Sequence, residues 1–110
     1  MEGKHNPGPW RVGRNGSCVV ADTPVPEMGG SDAVDYYGGH MIAESVVPRN
    51  APPLAAAPEL LAALQGEHQA IDWLMARLVE LDPKFFPSQS PVWAQVVAGK
   101  DAIDKATEAA

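Results

Sequence analysis

The longest segment with a sustained helical period is residues 50–81, NAPPLAAAPELLAALQGEHQAIDWLMARLVEL. Asn50 is a residue type suited to an N-cap, and Pro52 falls in the first turn, where a missing N–H does no harm. Pro58 is different. A proline inside a helix removes a hydrogen bond and clashes with the preceding turn, at a cost of about 3 kcal/mol. A short helix that stops near Ala57, and a new one beginning at Pro58-Glu59, therefore fit better than one rod. From there Leu60, Leu64, Ile71, Leu74, Leu78 and Leu81 recur in helical steps, interrupted at Glu67. They form one apolar stripe, widened by Leu61, Trp73 and Met75. This stripe is expected to be the floor of the core, with Trp73 and Trp93 filling it.

Downstream, Asp82-Pro83 ends the helix and Phe85-Phe86 sits in a short connection. Ser90-Pro91 reads as N-cap and first helical residue. Val92, Trp93, Val96, Val97, Ile103 and Ala106 then predict a last helix to about Thr107. A short link between two helices predicts an antiparallel hairpin.

Upstream, residues 1–9 read as an extended lead-in, because Pro7 and Pro9 forbid a helix. Residues 10–13 and 18–21 read as strands joined at Asn15-Gly16, a dipeptide favoured where a tight hairpin needs positive φ at both positions. The consecutive apolar residues after Cys18 predict cover on both faces. Residues 22–39, DTPVPEMGGSDAVDYYGG, have two prolines, four glycines and no clear period, and read as a long loop. His40 through Val47 is a third strand candidate that stops at Pro48. The fold class is α+β: a three-stranded antiparallel meander over 10–47, then a short helix and a C-terminal antiparallel helical hairpin over 50–110, as a single domain 1–110.

The chain has 110 residues, 45% hydrophobic and 20% charged, which suits one small folded domain. No apolar run approaches the roughly 18 residues a membrane span needs, and the first residues hold no apolar core of a secretion signal. A single cysteine, Cys18, excludes an internal disulfide and fits a reducing, cytoplasmic compartment. The net charge of −6 argues against general nucleic-acid binding, which needs a basic face. Residues 21–47 carry Asp22, Glu27, Asp32, Asp35 and Glu44 with no lysine or arginine.

Three segments carry a family resemblance. Asn6-Pro-Gly-Pro-Trp10 with Val12, the strand pair Ile42-Ala43, and residues 50–64 resemble a group of small phage and prophage proteins. That group opens with T-P-G-P-W-x-V, continues through a strand containing I-A, and reaches N-A-x-L-I-A-A-A-P-E-L-L-x-A-L before a C-terminal helix. Asn6 stands where the group has threonine, and Pro53 departs from its helical segment. The resemblance implies a phage or prophage gene expressed in a bacterial cytoplasm, and it transfers no catalytic residue.

Catalytic and metal chemistry find little footing. His5, His40, His68 and Cys18 are widely separated, without the ligand spacing of a metal site, and no cofactor is implied. There is no phosphate loop, and Gly16-Ser17-Cys18 lacks the second glycine of a nucleophile elbow. The chain is expected not to be an enzyme. Asp32, Asp35, Tyr36 and Tyr37 are the candidate partner-binding residues, with the tyrosines either packed back against the fold or displayed. The leading expectation is an accessory protein that binds and modulates a host protein, in a counter-defence role, and self-associates through its helical part. The alternatives are a nucleotide-sequestering protein using Arg11, Arg14 and Arg49 on phosphate, and a phage scaffold component.

Overall fold

The computed structural model describes residues 5–25 and 31–108, with the side chains of residues 31–33 outside that description. Residues 1–4 of the lead-in and Glu27 in the acidic stretch thus lie outside the described residues. The element order is β1 (Trp10–Val12), β2 (Val19–Ala21), α1 (Ser31–Tyr37), β3 (His40–Ala43), α2 (Ala51–Ala55), α3 (Ala57–Leu81) and α4 (Trp93–Thr107). Short 3-10 turns at Pro48–Asn50 and Pro87–Gln89 precede α2 and α4. The architecture is α+β, with a three-stranded antiparallel sheet followed by helices that end in a helical pair. The chain divides into two compact units, one His5–Leu60 and the other built on Leu61–Ala110.

In the first unit the sheet order is β1-β2-β3, both neighbours antiparallel to the central strand. All three residues of β2 are fully buried, as the apolar run after Cys18 predicts. Alternation along a strand sends successive side chains to opposite faces. Val20, with Cys18, therefore packs with Met41 and the half-buried Tyr37 on one side. Val19 and Ala21 point to the other. Helix α2 packs on β1 and β2 and buries its own Ala51 and Ala55. Small residues there let the helix come close to the sheet.

The chain does break before Pro58. Helix α2 ends at Ala55, Ala56 links the two helices, and α3 starts at Ala57. Proline then occupies the first turn of α3, where its missing N–H needs no partner. Two of the family-like segments meet here: a Cβ on Gly8 would lie 2.9 Å from Cβ of Pro58.

Four expectations need correction. Residues 22–39 are not one irregular loop, because Ser31–Tyr37 forms α1. Its end is set by Gly38 at φ +83°, and the Gly39 N–H reaches the Val34 carbonyl at 3.0 Å, a Schellman closure. The β1–β2 connection is not a two-residue turn. Only Gly16 takes positive φ, the Gly16 N–H bonds the Gly13 carbonyl, and Asn15 Oδ1 accepts from the Ser17 N–H. Asn50 and Ser90 do not cap with their side chains. Each belongs to or follows a 3-10 turn, and the Ser90 carbonyl accepts the Trp93 N–H while its hydroxyl has no partner among the described residues. Finally, the stripe on α3 is not the floor of the core. None of the 25 residues of α3 is buried, and Trp73 is 66% exposed. Trp73 follows Ile71 by two residues, about 200° round the helix, so both cannot face one core. Trp93 is half-buried.

Two glycines test this packing in opposite directions. A Cβ on Gly13 would overlap Cys18 Sγ and come within 2.8 Å of the Tyr37 carbonyl, whereas one on Gly66 meets nothing within 4 Å. Urea unfolding should show Gly13→Ala destabilising by about 1–3 kcal/mol through overpacking. Gly66→Ala should stabilise by up to about 1 kcal/mol through helix propensity. A neutral Gly13→Ala would contradict the close approach of Gly13 to Cys18 and to the end of α1.

Candidate functional site

The structure places Asp32, Asp35, Tyr36 and Tyr37 on α1, with Arg11 and Arg14 in the hairpin beside it, and the geometry there follows from how α1 is held. The Tyr37 ring packs on the Cys18, Val20 and Met41 cluster. Its hydroxyl donates to Glu44 Oε2 at 3.1 Å, and its carbonyl accepts the Arg14 N–H at 2.9 Å. Arg11 closes the other side: its guanidinium donates to Asp22 Oδ1 at 2.9 Å and to the Gly38 carbonyl at 2.7 Å. A helix of two turns is marginal alone, and these links are what make α1 a fixed platform.

The two tyrosines separate into different roles. Tyr37 is the anchor. Tyr36 is 70% exposed and meets Tyr37 edge-on, with ring centroids 4.8 Å apart and planes at 88°. Asp35 is also exposed. The side chain of Asp32 lies outside the described residues. The structure thus brings an exposed aromatic and an exposed carboxylate together on a braced helix, and takes Tyr37 out of the displayed set.

The three arginines of the phosphate reading sit differently. Arg11 has its guanidinium committed, at the surface, to the Asp22 carboxylate and the Gly38 carbonyl. Arg14 lies at the hairpin, its Cβ within 3.3 Å of a Cβ placed on Gly38, and Arg49 belongs to the 3-10 turn at Pro48–Asn50. Sequence reasoning missed Arg11, Gly38 and Glu44 as the braces of α1. The Gly38-Gly39 pair after an apolar-containing stretch was the available signal, since glycine commonly ends a helix.

Among the described residues no group of histidine, cysteine or carboxylate side chains is arranged to hold a metal ion. No described helix is long and apolar enough to cross a membrane.

The fold and this surface define a small α+β protein with an exposed aromatic and an exposed carboxylate on a braced helix. The comparisons supply the family: a family model described as Salmonella phage P22 protein Y8K6 matches residues 1–110. The chain belongs to that phage protein family. Searches of curated proteins and of solved structures return no match.

Tyr37 has a measurable signature. The hydrogen bond to Glu44, then burial, then the Glu44 charge raise its pKa above the ordinary 10.0. The fold therefore favours the neutral phenol. That stabilisation is complete below the ordinary tyrosine pKa and is lost as pH rises through the raised value. In a Tyr36→Phe variant, ultraviolet titration should place the remaining tyrosine above 10, and Glu44→Gln should bring it down. A midpoint unmoved by Glu44→Gln would contradict the contact.

Proposed function

We propose that this phage protein works by binding, using the exposed face of α1 to engage a bacterial host protein and alter its activity, in a counter-defence role. The observation that carries the reading is Tyr36, 70% exposed beside exposed Asp35, on a helix fastened to the sheet core. An aromatic already held in place gives large contact area at low entropic cost, which is why tyrosines recur at the energetic centres of interfaces. The adjacent carboxylate favours a partner with a basic patch and would speed encounter. Asp32 belongs to the same helix, and Tyr37 supports the proposed surface from behind.

The nucleotide-sequestering reading has less support. Phosphate recognition wants a free guanidinium able to donate a parallel pair of hydrogen bonds. Arg11 already makes its bonds to Asp22 and Gly38. A scaffold role has no observation of its own here.

The test is capture from host lysate with the immobilised full chain. Tyr36→Ala combined with Asp35→Asn should lose the specifically retained host protein while far-ultraviolet circular dichroism stays unchanged. Undiminished capture by that variant would contradict a contact through α1.

A further inference from the structure

The host contact through α1 leaves the apolar surface of α3 unused. Leu74 is 53% exposed, Leu78 44% and Leu81 66%. Helix α4 covers one flank only. A Cβ placed on Gly99 would lie 3.9 Å from both Leu64 Cδ1 and His68 Nδ1; Leu61, His68 and Met75 are half-buried on that flank, and Leu64 and Ile71 are half-buried at its edge, each keeping part of its surface toward the open side. At about 100° per residue, Leu74, Leu78 and Leu81 fall on the adjoining side. Soluble monomers rarely leave a contiguous apolar strip of this kind open.

The spacing of the strip says what kind of surface fits it. Leu64, Glu67, Ile71, Leu74, Leu78 and Leu81 follow each other in alternating steps of three and four, the pattern of the two seam positions of a coiled coil. Such a seam packs against another seam of the same period. Glu67 is the one charged residue in it, and a single polar seam residue sets orientation. In a parallel, in-register pair Glu67 would face its own counterpart, two like charges inside an apolar interface. An antiparallel pair removes that clash. It places Leu64 against Leu81, Glu67 against Leu78 and Ile71 against Leu74 of the other helix. Arg77 flanks Leu78, so each Glu67 then lies beside an Arg77. Glu67 has no ion-pair partner among the described residues. Arg77 has only a long contact of 3.6 Å to Glu80, both side chains more than half exposed. Glu67 and Arg77 of α3 thus become complementary across a two-fold rotation.

We propose that α3 is the homodimer interface of this protein, pairing antiparallel with α3 of a second copy about a two-fold axis near residues 72 and 73. Ile71 of each copy packs on Leu74 of the other, and Glu67 of each reaches Arg77 of the other. An isologous interface of this kind repeats every contact twice. The proposal is independent of the host contact through α1, since it uses a different helix and a different chemistry.

Sedimentation equilibrium of the full chain, from micromolar to submillimolar concentration, tests it. The wild type should dimerise. Leu74→Asp should yield a monomer with undiminished helical circular dichroism, because Leu74 is already half exposed in the single chain. Glu67→Arg and Arg77→Glu should each weaken dimerisation by about tenfold or more, and the double reversal should restore it to within about threefold of wild type. A wild type that stays monomeric overturns the proposal, as does a dimer indifferent to Leu74→Asp. A dimer in which the double reversal does not rescue the single ones overturns the antiparallel pairing.

Discussion

The burial of β2 on both faces is the constraint from which the sheet unit follows. A three-residue central strand with no exposed side chain needs cover above and below, and neither cover is generous. On one side α2 offers Ala51 and Ala55, small enough to sit close. On the other, Met41 and the Tyr37 ring close over Cys18 and Val20. Each cover is tied down in turn: α2 stops before Pro58, and α1 is clamped by the Gly38 closure, the Arg11 bonds and the Tyr37–Glu44 contact. The part of the molecule that carries the exposed Tyr36 is therefore the same part that completes the core, so its stability and its display are coupled.

Much of this was legible in residues 1–64, and the reasons are local. The apolar triplet after Cys18 and the break before Pro58 each rest on facts about one to three residues, whereas the third strand stops at Ala43, with Ser45 at φ +59°, and does not run on to Pro48. The helical pair at the C-terminus was legible from period alone. Helix α1 was not, because its seven residues lie between glycines and carry no apolar period of their own. What makes it helical is tertiary: the Tyr37 ring on the core and a glycine in the left-handed conformation at its end. The caps at Asn50 and Ser90 were misread for a related reason, since 3-10 turns built around Pro48 and Pro87 had already taken up the chain there. Trp73 was misplaced by counting hydrophobicity without angle.

The candidate site was legible in part. Asp35 and Tyr36 are where their residue types suggest, exposed together, while Tyr37 is structural. That division could not be read from two adjacent tyrosines, because only the fold decides which side of α1 meets the sheet. The helical unit is the reverse case. Its apolar period was plain, yet the period alone assigns no partner, and within the chain α4 covers only one flank of α3. Membership in the Salmonella phage P22 protein Y8K6 family gives the chain its biological setting.

The central claim is that the sheet unit holds itself together while α3 relies on association for much of its protection. Hydrogen exchange of individual backbone amides, followed as a function of protein concentration, tests this most directly. The account predicts that amides of Val19–Ala21 keep the same protection at every concentration, whereas those of α3 from Leu64 to Leu81 gain protection as concentration rises. Protection in α3 that is equally high at the greatest dilution would contradict it.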